Sequence, residues 1–262
     1  MISTLLQYQI VTGNLDRSLE VVSSEPTVER ATEYYLQNIG EVKSIDEFLE
    51  DDRLFSYAMK AHGLEDMTYA KAFMRKALEE GVDDRRSFAN MLADTRYREF
   101  VETYNFTRYG ETATIFSRAQ EGTAEKYARQ TLEQNEGASN EGVRLALYFS
   151  RKAPDINSAY DILADKALAQ TIYTALGLPS EFAMSDIDKQ VDYISDKIDI
   201  EKLSDPEYLN TLLERFSTLY DLENGTGLQT VPSLMVSSSA TGVVGIGESL
   251  LASIQGLKLG GA

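Results

Sequence analysis

The chain of 262 residues contains no cysteine and a single histidine, His62. The absence of cysteine excludes disulfides, thiolate catalysis and cysteine-ligated metals. It fits a reducing compartment, and equally a protein exported without disulfide chemistry. One histidine cannot build a multi-histidine metal site and leaves no unambiguous Ser-His-Asp arrangement. We therefore expect no metal, no cofactor and no catalytic residues, and we interpret His62 as a partly buried imidazole at a packing interface.

Basic residues and long apolar runs are also scarce. The chain has 25 Lys and Arg against 42 Asp and Glu, a net charge of −17. Phosphate backbones and anionic lipids repel such a chain, which argues against nucleic acids and membrane surfaces as partners. The acidity indicates either an ordinary solvated surface or a basic protein partner. Since there is neither a run of about 18 apolar residues nor a secretory signal pattern, we expect a cytoplasmic protein.

The most informative pattern that is present is an internal similarity at a fixed offset. Residues 26–64 align without a gap to residues 140–178, which lie 114 positions later, and nine of the 39 aligned positions are identical. The identical pairs are Arg30/Arg144, Tyr34/Tyr148, Ser44/Ser158, Leu49/Leu163, Asp51/Asp165, Leu54/Leu168, Ala61/Ala175, Gly63/Gly177 and Leu64/Leu178. A unit that keeps its helical pattern but no reactive cluster favours architecture over catalysis.

Several of the identical residues predict helix ends. Asp51 and Asp165 each precede an apolar helical stretch, so we expect their carboxylates to cap the helices that follow. Gly63 and Gly177 each end such a stretch, which predicts a left-handed C-terminal cap. Ser44 stands three residues before a glutamate, the spacing of a capping box.

Two arginine–tyrosine pairs also recur in the aligned units. Arg30 precedes Tyr34 by one helical turn, and Arg144 precedes Tyr148 by the same spacing. An arginine stacked on a tyrosine at this spacing would stabilise each helix or fix its docking. We prefer this structural interpretation to a ligand-binding role.

The whole pattern predicts an all-α protein of about ten or more helices, arranged as two tandem multi-helix repeats. No convincing period-two alternation is present. A further match at an offset of 111 predicts that Asp94 and Asp205 are N-caps of amphipathic helices. We assign residues 1–109 to the first repeat, 110–139 to a connecting helix and a loop that begins near residue 135, and 140–224 to the second repeat.

Residues 225–262 differ in composition from the rest of the chain. They contain eight of the 17 glycines and only two charged residues, Glu248 and Lys258. Leu250 and Leu251 share an apolar helical face, so this Gly/Ser-rich C-terminal tail is a candidate interaction segment. It is either flexible, packed along its own body or reserved for a partner.

Several motifs together resemble the bacterial family called domain of unknown function 1217. They are RATEYY at 30–35, VKSIDEF at 42–48, RLFSYAMKAHGL at 53–64, YAKAFM at 69–74 and YREF at 97–100. The family occurs mainly in alphaproteobacteria, and its members often lie among flagellar genes. The resemblance therefore implies a role in flagellar assembly or function. The family has no established catalytic residues, so none are transferred to this chain.

Three functions remain open from the sequence. The leading hypothesis is a non-enzymatic helical scaffold or adaptor that binds another protein, as an accessory of flagellar assembly or export. The second is an exported structural component of the flagellum, because a cysteine-free chain with a low-complexity end suits a flagellar-type export apparatus. The third is an enzyme that uses carboxylates in a groove between the two repeats.

Overall fold

The computed structural model describes residues 2–225, and all regular structure in this part of the chain is helical. Fifteen α-helices occur within it, which confirms the predicted all-α class. The first eight helices are α1 (Thr4–Gly13), α2 (Leu15–Ser23), α3 (Pro26–Asn38), α4 (Ile45–Glu50), α5 (Asp52–Ala61), α6 (Lys71–Glu80), α7 (Phe88–Met91) and α8 (Thr95–Thr103). The other seven are α9 (Phe106–Tyr109), α10 (Glu121–Ser139), α11 (Glu141–Lys152), α12 (Ala159–Ala164), α13 (Lys166–Leu176), α14 (Ile187–Lys197) and α15 (Pro206–Asn224).

The helices begin at polar caps in the positions that the sequence predicts. The Asp51 carboxylate accepts hydrogen bonds from the backbone amides of Arg53 and Leu54 at the start of α5. Asp165 does the same at the start of α13. Asp94 and Asp205 cap α8 and α15. Each of these side chains satisfies amides that have no partner inside the helix.

The C-terminal caps of α5 and α13 share one geometry. Gly63 and Gly177 have positive φ angles of 70° and 67°. The residue after each glycine returns a backbone hydrogen bond to the preceding turn, Leu64 to Met59 and Leu178 to Tyr173. This is the Schellman arrangement, and glycine adopts it without the strain that a Cβ would add.

The predicted loop before residue 140 is wrong, and so is the predicted start of the connecting helix. α10 begins at Glu121, whereas residues 113–120 form turns. The helix then continues through Ser139, and only Asn140 leaves the helical conformation, with a φ of −153°. Polar residues at 135–139 favour a loop by composition, but they lie along a helix whose other face is buried.

Two hydrophobic clusters form the core. One is built from α3 to α9 and contains Phe48, Phe55, Phe100 and Tyr104. The other is built mainly from α11 to α15 and also takes in Tyr8 and Val11 of α1. α10 packs against both α5 and α11, and Tyr127 on α10 contacts both clusters. The N-terminal helix therefore packs with the later half of the chain, against α11 and α15.

The aligned segments contain the same series of local elements: α3, α4 and α5 in one, α11, α12 and α13 in the other. The proposed repeat and domain boundaries stay predictions. The predicted C-terminal tail, with Leu250 and Leu251, lies outside the described residues. In the described part of the chain, no helix combines the length and the apolar character needed to span a bilayer.

Candidate functional site

An open groove lies between α3 and α5 and has a volume of about 590 Å³. We call it the cation–tyrosine groove, because cationic and tyrosine side chains dominate its lining. Those residues are Arg30, Tyr34, Arg53, Tyr57, Lys60 and Tyr127. Helical spacing on α3 and α5 aligns the first five along two facing helix surfaces, and α10 supplies Tyr127.

The floor of the groove is a column of stacked rings. Tyr57 lies between Tyr35 and Tyr127, with ring-centroid distances of 4.3 Å and 3.9 Å. Its hydroxyl is 2.9 Å from the Thr32 hydroxyl. Burial raises the pKa values of Tyr57 and Tyr127, so both phenols stay neutral. The stack holds the rings of Tyr57 and Tyr127 in place at the base of the groove, and the Thr32 contact fixes the Tyr57 hydroxyl.

Two cations lie over tyrosine rings at the groove. The Arg53 guanidinium carbon is 3.4 Å from the centroid of Tyr34, and the Lys60 ammonium is 5.0 Å from that of Tyr127. Tyr34 is held in turn by donating its hydroxyl to an Asp51 carboxylate oxygen at 2.6 Å. Each cation is thereby oriented by an aromatic face and keeps its N–H groups available for another partner.

Among the residues that the structure describes, these groove cations form no salt bridge, although the charge of Arg53 helps to lower the pKa of Asp51. Within residues 2–225, Arg30, Arg53 and Lys60 form no ion pair at 4.0 Å or less. Arg30 uses one N–H to bond the Pro26 carbonyl of its own helix, at 2.8 Å. The acidic side chain in the lining is Glu65, which accepts a hydrogen bond from Gln134. The groove thus concentrates positive charge on a chain whose net charge is −17.

Asp51 both caps α5 and anchors the groove. Partial burial raises the pKa of its carboxyl, but hydrogen bonds from Tyr34 and from the amides of Leu54 and Arg53 outweigh this and lower it overall. The Tyr34 pKa is raised, chiefly by its hydrogen bond to Asp51. The carboxylate is therefore charged at neutral pH, but three donors satisfy it.

The predicted stacking of Arg30 on Tyr34 and of Arg144 on Tyr148 is wrong. Arg53 covers Tyr34, and Arg151 lies over Tyr148 at 5.0 Å. Arg30 instead bonds its own helix, and Arg144 pairs with Glu141. Helical spacing places Arg30 beside Tyr34 and Arg144 beside Tyr148. Each arginine instead donates to an acceptor on its own helix.

The aligned positions of the later unit do not form a matching groove lining. Tyr148 donates to Asp165, as Tyr34 does to Asp51, but only 6% of Tyr148 is exposed. The counterparts of Arg53, Tyr57 and Lys60 are Ala167, Thr171 and Thr174. Gly63 and Gly177 serve as helix caps, and the Gly63 carbonyl accepts a hydrogen bond from Arg96 at 2.6 Å. The predicted residues therefore separate into groove members and structural caps.

Sequence reasoning missed Arg53, Tyr57, Lys60 and Tyr127 as site residues. A signal for the first three was present, because they are cationic or aromatic where the aligned unit has alanine and threonine. Tyr127 carried no such signal, since α10 brings it to the groove from 67 residues beyond Lys60.

His62 lies behind the groove rather than in it. It is 6% exposed, and its ring nitrogens contact the Ala58 carbonyl at 2.9 Å and the Thr103 hydroxyl at 3.2 Å. Burial and the nearby Lys126 ammonium lower the pKa of His62 to about 3. The imidazole is neutral and bonded on both sides, as expected of a structural residue.

A smaller cleft between α8 and α12–α13 contains the carboxylates that an enzyme would need. Its lining includes Glu99, Asp161 and Asp165. Glu99 pairs with Lys152 at 2.6 Å, Asp161 closes a capping box with Ser158, and Asp165 caps α13. Among the described residues, no group of three or more His, Asp or Glu is arranged to hold a metal ion. Glu99, Asp161 and Asp165 therefore have structural roles, whereas the fourth carboxylate of the lining, Asp155, forms no ion pair within the described residues.

Comparisons with known proteins identify the family. No curated protein matches the chain. A crystal structure of a protein from Agrobacterium tumefaciens, solved by a structural genomics consortium, superposes with a TM-score of 0.80 and 49% sequence identity. The match covers 86% of this chain and 97% of that one. The family model described as protein of unknown function (DUF1217) matches residues 61–209. The chain therefore belongs to the DUF1217 family.

Proposed function

We propose that this protein is a non-enzymatic helical adaptor that binds an acidic segment of a partner protein in the cation–tyrosine groove. The observation that carries the proposal is the set of three cations that form no salt bridge within the described residues, above a floor of stacked tyrosine rings. Arginine and lysine recognise carboxylates, and cations already oriented by tyrosine rings bind them with little loss of side-chain entropy. An open groove suits an extended segment of a protein better than an enclosed small molecule.

The groove chemistry favours binding over catalysis. Ser56 is its one serine hydroxyl, and the sole histidine of the chain lies in the core with both ring nitrogens engaged. The Asp51 carboxylate is occupied by three hydrogen-bond donors. A nucleophile without a base beside it is not activated.

The family resemblance gives a further part of the proposal. A flagellar accessory that acts in the cytoplasm, beside the export apparatus, would use the groove to hold an acidic segment of a flagellar protein. The unpaired cations and the lack of an activated nucleophile support an adaptor. The identity of the partner follows from the resemblance alone and stays a prediction.

The test is a titration of the full chain with a labelled peptide of aspartates and glutamates around one phenylalanine, followed by fluorescence anisotropy. We expect saturable binding that weakens about 30-fold in the Arg53→Ala/Lys60→Ala double variant, because two charged contacts of about 1 kcal/mol each are lost. The matched control is Arg17→Ala/Lys189→Ala, which removes two exposed cations elsewhere. The control has the same net charge as the groove variant.

Two results would contradict the proposal. One is equal binding by the groove variant and the control, which would indicate only a general charge effect. The other is no saturable binding by the unaltered protein at peptide concentrations up to about 1 mM, a standard free energy weaker than about −4 kcal/mol. Both variants change side chains outside the buried core, so thermal melting should show that each remains folded.

A further inference from the structure

A second groove lies on the opposite side of α3. Its volume is about 420 Å³, and its floor is apolar: Leu19 from α2, Leu36 from α3, and Ala124 and Ala128 from α10. Residues 27, 30, 31 and 34 of α3 line the cation–tyrosine groove, whereas 29, 32, 33 and 36 line this one. At 100° per residue these two sets point in opposite directions.

The rim of the second groove is acidic. Glu29 and Glu33 stand on α3 and Glu125 stands on α10, all three exposed, and no lysine or arginine lines the groove. We call this site the acid-rimmed groove. In the described part of the chain none of the three glutamates has a basic partner within 4.0 Å. The rim therefore presents uncompensated negative charge on both sides of an apolar floor.

The acidic rim and the exposed floor of this groove are unfavourable in the free protein, and a ligand would relieve both. Glu29 and Glu33 are one helical turn apart, and like charges at this spacing destabilise a helix. Leu36, on the same side of α3, is 40% exposed. A basic ligand that brings apolar side chains would relieve the repulsion and cover this leucine.

We propose that the acid-rimmed groove binds one amphipathic helix of a partner protein, with an apolar face flanked by lysine or arginine. The apolar side chains would lie on Leu19, Leu36 and the two alanines, and the cations would pair with Glu29, Glu33 and Glu125. Ala124 and Ala128 are one turn apart on α10, and their small side chains let a helix backbone approach closely. This surface is separate from the cation–tyrosine groove and stands without it.

The test uses a labelled peptide that forms a helix with leucines at positions one, four, five and eight and lysines on both sides of them. We expect saturable binding to the full chain. Binding should be about tenfold weaker in Glu29→Gln/Glu33→Gln, and added salt should weaken binding to the unaltered protein. The control variant is Glu181→Gln/Glu201→Gln, which makes the same change in net charge at two exposed positions in the later half of the chain. The control should bind the peptide as the unaltered protein does.

A second peptide, with glutamates in place of the lysines, tests charge recognition and should not displace the lysine peptide from the acid-rimmed groove. Two further results would overturn the proposal: equal weakening in both double variants, or no saturable binding of the lysine peptide up to about 1 mM. Leu36→Glu adds a separate test, because it places a charge on the floor and should abolish binding while the melting temperature stays near that of the unaltered protein.

Discussion

His62 shows how one buried side chain sets a pH dependence without any part in chemistry. Burial and Lys126 lower its pKa from 6.5 to about 3. As the pH falls below 6.5, His62 binds a proton in the unfolded chain but stays neutral in the folded protein. Stability is therefore lost between about pH 6.5 and pH 3, in addition to the effect of the carboxyl groups.

We predict that His62→Gln makes the free energy of unfolding less dependent on pH in this window. Between pH 7 and pH 5 the unaltered protein should lose about 2 kcal/mol more than the variant, because the unfolded chain binds one more proton over most of this range. Urea unfolding at pH 7 and at pH 5 measures the difference. Identical slopes for the two proteins would show that His62 is protonated in the folded state.

Asp51 and Asp165 make the same bonds in different surroundings. Each caps a helix and accepts a tyrosine hydroxyl, but Tyr148 is buried, whereas Tyr34 is partly exposed to solvent at the groove. A tyrosine hydroxyl that loses its acceptor costs more where water cannot replace it.

We predict that Asp165→Ala lowers the free energy of unfolding by about 2–3 kcal/mol and Asp51→Ala by about 1–2 kcal/mol. Asp165→Asn should recover most of the loss, since an asparagine oxygen can still cap α13. Chemical denaturation of the three variants gives the order. A larger loss for Asp51→Ala would contradict the role assigned to burial.

At the scale of helices, the sequence predicted where helices begin and end better than it predicted which side chains contact each other. Asp94, Asp205 and the Schellman glycines were predictable because a cap depends on a few neighbouring residues. The arginine–tyrosine pairs were predicted wrongly because Arg30 and Arg144 each bond an acceptor on their own helix. Tyr127 was missed as a site residue because its contacts depend on how distant helices pack. The end of α10 was missed for the same reason, since residues 135–139 contact distant segments, with Gln7 of α1 donating hydrogen bonds to Glu136 and Ser139.

Close packing of α11 depends on Gly142. A Cβ at this position would lie 2.5 Å from Tyr220 of α15 and 2.9 Å from the methyl group of Thr4 of α1. At Gly177, by contrast, no heavy atom lies within 4 Å of such a Cβ, and only the positive φ opposes a side chain.

We predict that Gly142→Ala lowers the melting temperature more than Gly177→Ala does. Overpacking at the junction of α1, α11 and α15 should cost about 2–3 kcal/mol, whereas the left-handed strain at Gly177 should cost about 1 kcal/mol. Scanning calorimetry of the two variants measures both melting temperatures. Equal melting temperatures would mean that Tyr220 moves aside freely.

At the scale of the whole molecule, a buried ionic seam links the helices of both clusters. Glu133 on α10 is 1% exposed and accepts hydrogen bonds from Arg129 and from Arg151 of α11. Lys152 of α11 pairs with Glu99 of α8. A carboxylate buried among cations fixes the packing of these helices, because its removal leaves charges without partners.

We predict that Glu133→Ala lowers the free energy of unfolding by about 3 kcal/mol, against less than about 1 kcal/mol for Lys76→Ala, which breaks an exposed pair with Glu80. Denaturation in urea measures both. A small loss for Glu133→Ala would show that water reaches the seam and replaces the carboxylate.

Cationic and acidic side chains border opposite faces of α3. The face of α3 that carries Arg30 borders unpaired cations, and the opposite face carries Glu29 and Glu33. An adaptor needs two surfaces with different preferences, and these two faces differ in the sign of the ligand that they would accept.

The most direct test of an adaptor that reads acidic segments is a charge exchange at the cation–tyrosine groove. We would titrate Arg53→Glu/Lys60→Glu with the acidic peptide and with its counterpart in which lysines replace the acidic residues. We predict that the exchange abolishes binding of the acidic peptide and strengthens binding of the basic one relative to the unaltered protein. Retained binding of the acidic peptide by the exchanged protein would contradict the assignment of the groove.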